Sequence, residues 1–175
     1  MFTANIDSKS MSLLFQYLVD LQRKGARELI IAISSQGGNV ASGITMYNAI
    51  RAATINVTTH NIGNIDSIAT AVFLAGQQRV ANESATFMFH GVGIGLTGNQ
   101  RLEERDLLEK LDVVAAEHRR LSKLIASHSS LAIDQCMDLF KQQKTRDADW
   151  AQTKGLVHEV KDFVIPADVD VRYLG

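Results

Sequence analysis

Glu28-Leu29-Ile30-Ile31-Ala32-Ile33-Ser34-Ser35-Gln36-Gly37-Gly38-Asn39-Val40 is the stretch that decides the fold class. The apolar run from Glu28 to Ser34 has the pattern of a strand buried on both faces of a parallel sheet. Two glycines then turn the chain, and Val40, Ile44, Tyr47 and Ile50 recur at helical spacing. Strand, glycine turn and helix in that order open a βαβ crossover. The same alternation continues on both sides. Phe2 to Ile6 reads as a strand, and Asp7 to Ser10 can cap a helix with Met11, Leu14, Leu18 and Leu21 on its apolar face. Gly25 stops that helix. Ile55 to His60 is the next strand, and Ser67 to Ala75 is a helix of small residues ending at Gly76. Arg79 to Val80 and Thr86 to His90 are strand-like. The spacing predicts an α/β domain with right-handed crossovers.

From about Asn99 to His128 the pattern changes. Leu107, Leu111, Val114, His118, Leu121 and Ile125 form a seam along a highly charged helix. Such a helix, of about 30 residues, would be ~45 Å long. It fits a surface helix laid over the sheet, and equally a protruding helix packed on another subunit. A last helix near Asp147 to Lys154 and a strand at Leu156 to Val164 close the expected single domain, residues 1–175. Pro166 and an extended tail follow.

Composition bounds the function classes. The chain has 175 residues, 46% apolar and 21% charged, which excludes a disordered chain. Its 18 basic and 19 acidic residues provide no basic excess for nucleic acid. The single cysteine, Cys136, permits no intrachain disulfide. No apolar run reaches the roughly 18 residues of a membrane span, and Met1 to Ser12 has no secretory pattern. The expectation is a cytoplasmic protein that binds neither membrane nor nucleic acid.

Three local features could carry chemistry. Gly37 and Gly38 precede a helix, where free N–H groups favour negative charge and could form an oxyanion hole. They could equally make a tight strand-to-helix turn. Ser67 opens a small-residue helix after a polar turn, as a nucleophile or as a helix cap, and Asp66 competes for the same cap. His90 ends a strand before Gly91-Val92-Gly93-Ile94-Gly95, placed for general-base work or simply half-exposed. His60, His118, His128 and His158 form no metal-ligand spacing with it.

Taken in order, these features resemble the ClpP family of serine peptidases over most of the chain. Ile33-Ser34-Ser35-Gln36-Gly37-Gly38 is similar to the family's strand followed by Asn-Ser-Pro-Gly-Gly. Gly63 through Gly76 is similar to the nucleophile segment, and Met88-Phe89-His90 to its Met-Ile-His motif. Gly155-Leu156-Val157-His158-Glu159-Val160 is similar to its closing Gly-Leu-x-Asp-x-Val. The resemblance implies a crotonase-like fold of repeated ββα units with a protruding handle helix, in a handle region of about residues 91–128. It implies Ser67 as nucleophile, His90 as base, and the N–H groups of Gly38 and Ile68 as oxyanion hole. Gly91, Val92 and Gly93 would pair with an extended substrate backbone. The handle would interlock stacked rings in a homo-oligomer. Gln36 stands where the family has proline, and Asp66 where it has alanine. Counted back from Gly155, the family's aspartate falls on Leu139. Asp138 is therefore the candidate third member, with Asp134 a helical turn away.

The chain begins almost at its first strand, so the family's axial N-terminal segment is expected to be short or missing. That leaves an ATPase unfoldase partner open. The expected function is endopeptidase hydrolysis of peptides or unfolded segments, with no metal or organic cofactor. Two alternatives stand beside it: an assembly subunit without turnover, motivated by Asp66 and Leu139, and an acyl-CoA enzyme of the crotonase group.

Overall fold

The structure is a computed structural model that describes residues 1–95, 98 and 101–175. In chain order its elements are α1 (Ser8–Arg23), β1 (Glu28–Ser35), α2 (Val40–Ala52), β2 (Asn56–Asp66), α3 (Ala69–Leu74) and β3 (Gln78–Ala81). These are followed by β4 (Thr86–Met88), α4 (Glu104–Ser127), α5 (Ile133–Gln142), β5 (Thr145–Asp147), α6 (Ala148–Thr153) and β6 (Glu159–Val160). They form a mixed α/β fold around a six-stranded sheet. β2 is its spine. β1 pairs along it in parallel from Glu28↔Asn56 to Ile33↔Asn61. β3 pairs in parallel with the first half of β2 and β4 with the last, up to Asp66↔Met88. β6 adds to β3 in parallel, and β5 adds to β4 antiparallel.

Local signals explain most boundaries. Asp7 caps α1 by a reciprocal box: its carboxylate accepts from the Ser10 N–H at 2.8 Å, and its own N–H donates to the Ser10 hydroxyl at 3.0 Å. Such a cap contributes ~1 kcal/mol. Asn39 caps α2 through the Ser42 N–H. One core unites the sheet with its helices, from Phe2, Leu14 and Leu18 through Ile33, Ile44 and Ile50 to Ile65, Phe73 and Phe87. Phe73 and Phe87 meet edge-to-face, with ring centroids 5.3 Å apart. No described helix is long and apolar enough to cross a membrane.

Several sequence expectations change. Phe2 and Ile6 make only isolated parallel bridges, Phe2 to Ile33 and Leu174 and Ile6 to Gly38, so the first segment runs beside β1 without becoming a full strand. β1 is not buried on both faces throughout. Ile30 is 46% exposed and lines an apolar groove between α1 and the C-terminal tail. β2 runs on through the expected turn to Asp66, which brings the chain straight from strand to Ser67. The long helix is described from Glu104, while its expected start at Asn99 lies outside the described residues. The expected strand from Leu156 to Val164 shrinks to β6, and α5 and β5 were not foreseen.

Candidate active site

Ser67 follows the last residue of β2 and sits in the left-handed region, with φ of 55°. For a non-glycine residue that conformation costs about 1–3 kcal/mol and needs support from its surroundings. The support is visible. The Ser67 N–H donates to the Met88 carbonyl of β4 at 2.8 Å, and the Ser67 carbonyl accepts from Thr70 at 3.1 Å. Ser67 therefore lies before α3 rather than within it, and Ile68 is the N-cap, with no side-chain cap bond.

The glycine turn after β1 packs directly on this corner. Gly37 has φ of +88°, and a Cβ there would come within 2.7 Å of the Asp66 carbonyl and 2.9 Å of the Ser67 Cβ. Only glycine lets the two turns touch. Gly38, at φ of +142°, lies against the Ile6 backbone, where a Cβ would collide with the Ile6 carbonyl. Ile6 takes the neighbouring groups: its N–H goes to Gly37 and its carbonyl accepts from Asn39. The N–H groups of Gly38 and Ile68 have no acceptor among the described residues.

His90 follows β4 and lines the same pocket as Ser67, with Val40, Thr70, Ala71, Val92, Leu121, Leu124, Ile125 and Phe140. Its Nδ1 lies 2.8 Å from the Gly91 carbonyl. A carbonyl can only accept, so Nδ1 carries the proton and the neutral ring is left with a bare Nε2. Among the described residues no hydrogen bond joins the Ser67 hydroxyl to His90. In empty sites such contacts are often long and tighten when substrate binds. The Thr70 hydroxyl, buried in this pocket, has no partner among the described residues.

Asp138 is not brought to this pocket. It lies on the outer face of α5, 59% exposed, with an ion pair to Lys141 at 3.0 Å. The physical reason is the helix itself. Cys136, Leu139 and Phe140 form the buried stripe of α5, so position 138 turns to water. Leu139 is part of the core, and Asp134 is exposed. Burial pushes the Cys136 thiol up to about 11, which makes it a poor nucleophile.

Asp66 is not a helix cap. Its carboxylate accepts from the Asn64 amide at 2.6 Å, and the Asn64 oxygen accepts from the Ser34 hydroxyl at 2.9 Å. Burial pushes the Asp66 carboxyl up, while the Asn64 bond and the nearby His90 pull it the other way. Gly91 to Gly93, expected to pair with an extended substrate backbone, are not in a strand. The Val92 N–H, foreseen as a partner for substrate, is instead taken by His118 Nε2 at 2.8 Å.

The model of the Clp protease family matches residues 1–163. The chain belongs to the Clp protease family. Among its Clp relatives, proteolytic subunit 2 of the ATP-dependent Clp protease of Corynebacterium efficiens is 25% identical over 136 residues. That alignment covers 77% of this chain and 66% of the relative, so this chain spans just under two thirds of it. The proteolytic subunit from Carsonella ruddii is also 25% identical, over 135 residues, 74% of this chain and 66% of the relative. In fold, the chain is similar to a mutant of ClpP1 from Listeria monocytogenes, with a TM-score of 0.78 at 18% identity. The likeness covers 93% of this chain and 90% of that one.

Against that Clp background, sequence reasoning missed the Gly91 carbonyl and His118. The carbonyl has no signature in a sequence. His118 had one: it is the single polar member of an otherwise apolar seam on α4.

Proposed function

We propose that this Clp-family chain is a serine peptidase that cleaves peptides or unfolded protein segments. The observation that carries the reading is the shared pocket of Ser67 and His90, at a strained strand-to-helix corner beside two unengaged N–H groups. In this reading the Ser67 hydroxyl attacks the scissile carbonyl carbon as His90 Nε2 takes its proton. The tetrahedral oxyanion is held by the N–H groups of Gly38 and Ile68. His90 then hands the proton to the leaving amine, and water, activated by the same Nε2, releases the acyl group from Ser67. The Gly91 carbonyl takes the orienting place that Asp138 does not reach. An uncharged acceptor fixes the tautomer but stabilises the imidazolium less than a carboxylate does. Turnover is therefore slow, by orders of magnitude relative to a complete triad.

The relatives are named as proteolytic subunits of an ATP-dependent protease. By that analogy the chain assembles into a homo-oligomeric ring through α4 and receives unfolded segments from an ATPase. A second reading, an assembly subunit without turnover, is favoured by the outward Asp138 and the engaged Val92 N–H.

Intact-mass labelling with a fluorophosphonate separates the two. One adduct on wild type, lost in both Ser67→Ala and His90→Ala, is the expected result. No adduct on a folded, assembled wild type would overturn the peptidase reading in favour of the second.

A further inference from the structure

His90 and α4 are joined by a short chain of contacts. The His90 Nδ1–H donates to the Gly91 carbonyl, and the next amide, Val92 N–H, donates to His118 Nε2 of α4, both at 2.8 Å. An N–H must donate, so His118 Nε2 carries no proton and its ring is the Nδ1–H tautomer. The ring is also held from its face: Phe140 of α5 stacks on it with centroids 5.3 Å apart and planes 22° from parallel. Gly91 lies close beneath, where a Cβ would approach His118 Nε2 at 3.2 Å. The Gly91-Val92 peptide is thus held at both ends, by His90 and by His118. Among the described residues, nothing lies within 4 Å of where a Cβ would project from Gly93 or Gly95 beyond it.

We propose that His118 is a positioning residue: neutral His118 latches the Val92 amide, and so holds the Gly91 carbonyl that orients His90. This inference rests on the peptidase reading for its catalytic consequence. The latch works only while His118 is neutral, because an imidazolium Nε2–H cannot accept from Val92. Burial keeps the ring below the usual histidine range, so the latch is closed at neutral pH. Among the described residues, the groups in contact with it are the uncharged Phe140 and the Gly91-Val92 backbone. On its own helix, the neighbouring Glu117 is paired with Arg120. Protonating His118 opens the latch, frees the Gly91-Val92 peptide to rotate and lets His90 lose its orientation. The long helix thereby sets the orientation of His90 through one side chain, beside the Leu121, Leu124 and Ile125 side chains that line the pocket.

The test compares wild type, His118→Gln and His118→Leu by two measurements on the assembled protein. Gln can still accept from Val92 but does not titrate, whereas Leu fills the seam without an acceptor. The first measurement is fluorophosphonate labelling rate against pH. The second is hydrogen exchange of the Val92 amide, corrected for its intrinsic pH dependence. For His118→Leu we expect exchange about tenfold faster and labelling about tenfold slower at neutral pH, the effect of losing one buried hydrogen bond. His118→Gln stays within about threefold of wild type at neutral pH, and it lacks the second acid inflection that wild type shows in both measurements. Folded His118→Leu with wild-type exchange and a wild-type pH profile would overturn the proposal. A wild type that shows the pH-dependent Val92 protection but no adduct would uphold the latch and overturn the peptidase reading.

Discussion

Ser67 and Asp66 are neighbours with opposite demands. Ser67 is held in a left-handed conformation at the end of β2, while the Asp66 carboxylate is tied back to Asn64. Burial raises the Asp66 pKa in the folded chain. A group raised on folding stabilises the fold below its unfolded pKa, and that contribution is lost as pH rises through the folded pKa. Ionisation above that pKa therefore works against the fold, and in the peptidase reading the charge opposes an oxyanion forming beside Ser67. Asp66→Asn keeps an acceptor for Asn64 and removes the charge. The expected outcome at pH 7 is a melting temperature raised by a few degrees and labelling of Ser67 faster by about two- to tenfold. Slower labelling would instead mean that Asp66 serves His90. At this scale the meeting of Ser67 and His90 in one pocket was legible from their order along the chain. The backbone angle of Ser67 was not, because Met88 and Gly37, distant in sequence, support it.

Among the elements, α4 and α5 show how a correct pattern divides between roles. The apolar seam of α4 is real, but only Leu121 and Ile125 at its C-terminal end are buried. Leu107 and Leu111 remain 48% and 64% exposed, beside Leu108 and Val113. A domain this small covers one end of the helix and leaves the apolar residues of the other end exposed. If α4 is the assembly surface, Leu107→Lys with Leu111→Lys leaves the melting temperature of the protomer within about 2 °C. It weakens association at least about 100-fold, since each buried leucine contributes about 1.5–3 kcal/mol. Light scattering on a sizing column reads the outcome, and an unchanged oligomer would remove α4 from the interface. In α5 the signal was present and unread. Cys136, Leu139 and Phe140 recur at helical spacing, which turns Asp138 outward; counting from a distant motif carried no such information.

For the whole molecule, the histidines set the response to acid. Burial is the largest influence on His60, His118, His128 and His158, and it lowers each below the usual histidine pKa. Arg79 adds to the effect at His128 and His158. A histidine whose folded pKa is lowered gives stability that is complete above its unfolded pKa, about 6.5. That stability is lost as pH falls through 6.5 toward the folded values. The melting temperature is accordingly expected to be level from pH 8 to 7 and to fall by several degrees between pH 6.5 and 5. A flat profile across that window, measured by calorimetry, would contradict the burial of these rings.

What the sequence by itself determined is the alternation of helix and strand from α1 to β4, the glycine turn after β1, and the succession of glycine, serine and histidine. Periodicity, helix capping and the freedom of glycine act between residues close along the chain, so they can be read there. Tertiary structure decided the rest. It pressed Gly37 against Ser67, extended β2 through an expected turn, and pointed Asp138 at solvent. It also spent the Val92 amide on His118 and gave His90 a carbonyl partner. Each of these outcomes depends on which distant surfaces are buried together, and that is settled only when the helices close over the sheet.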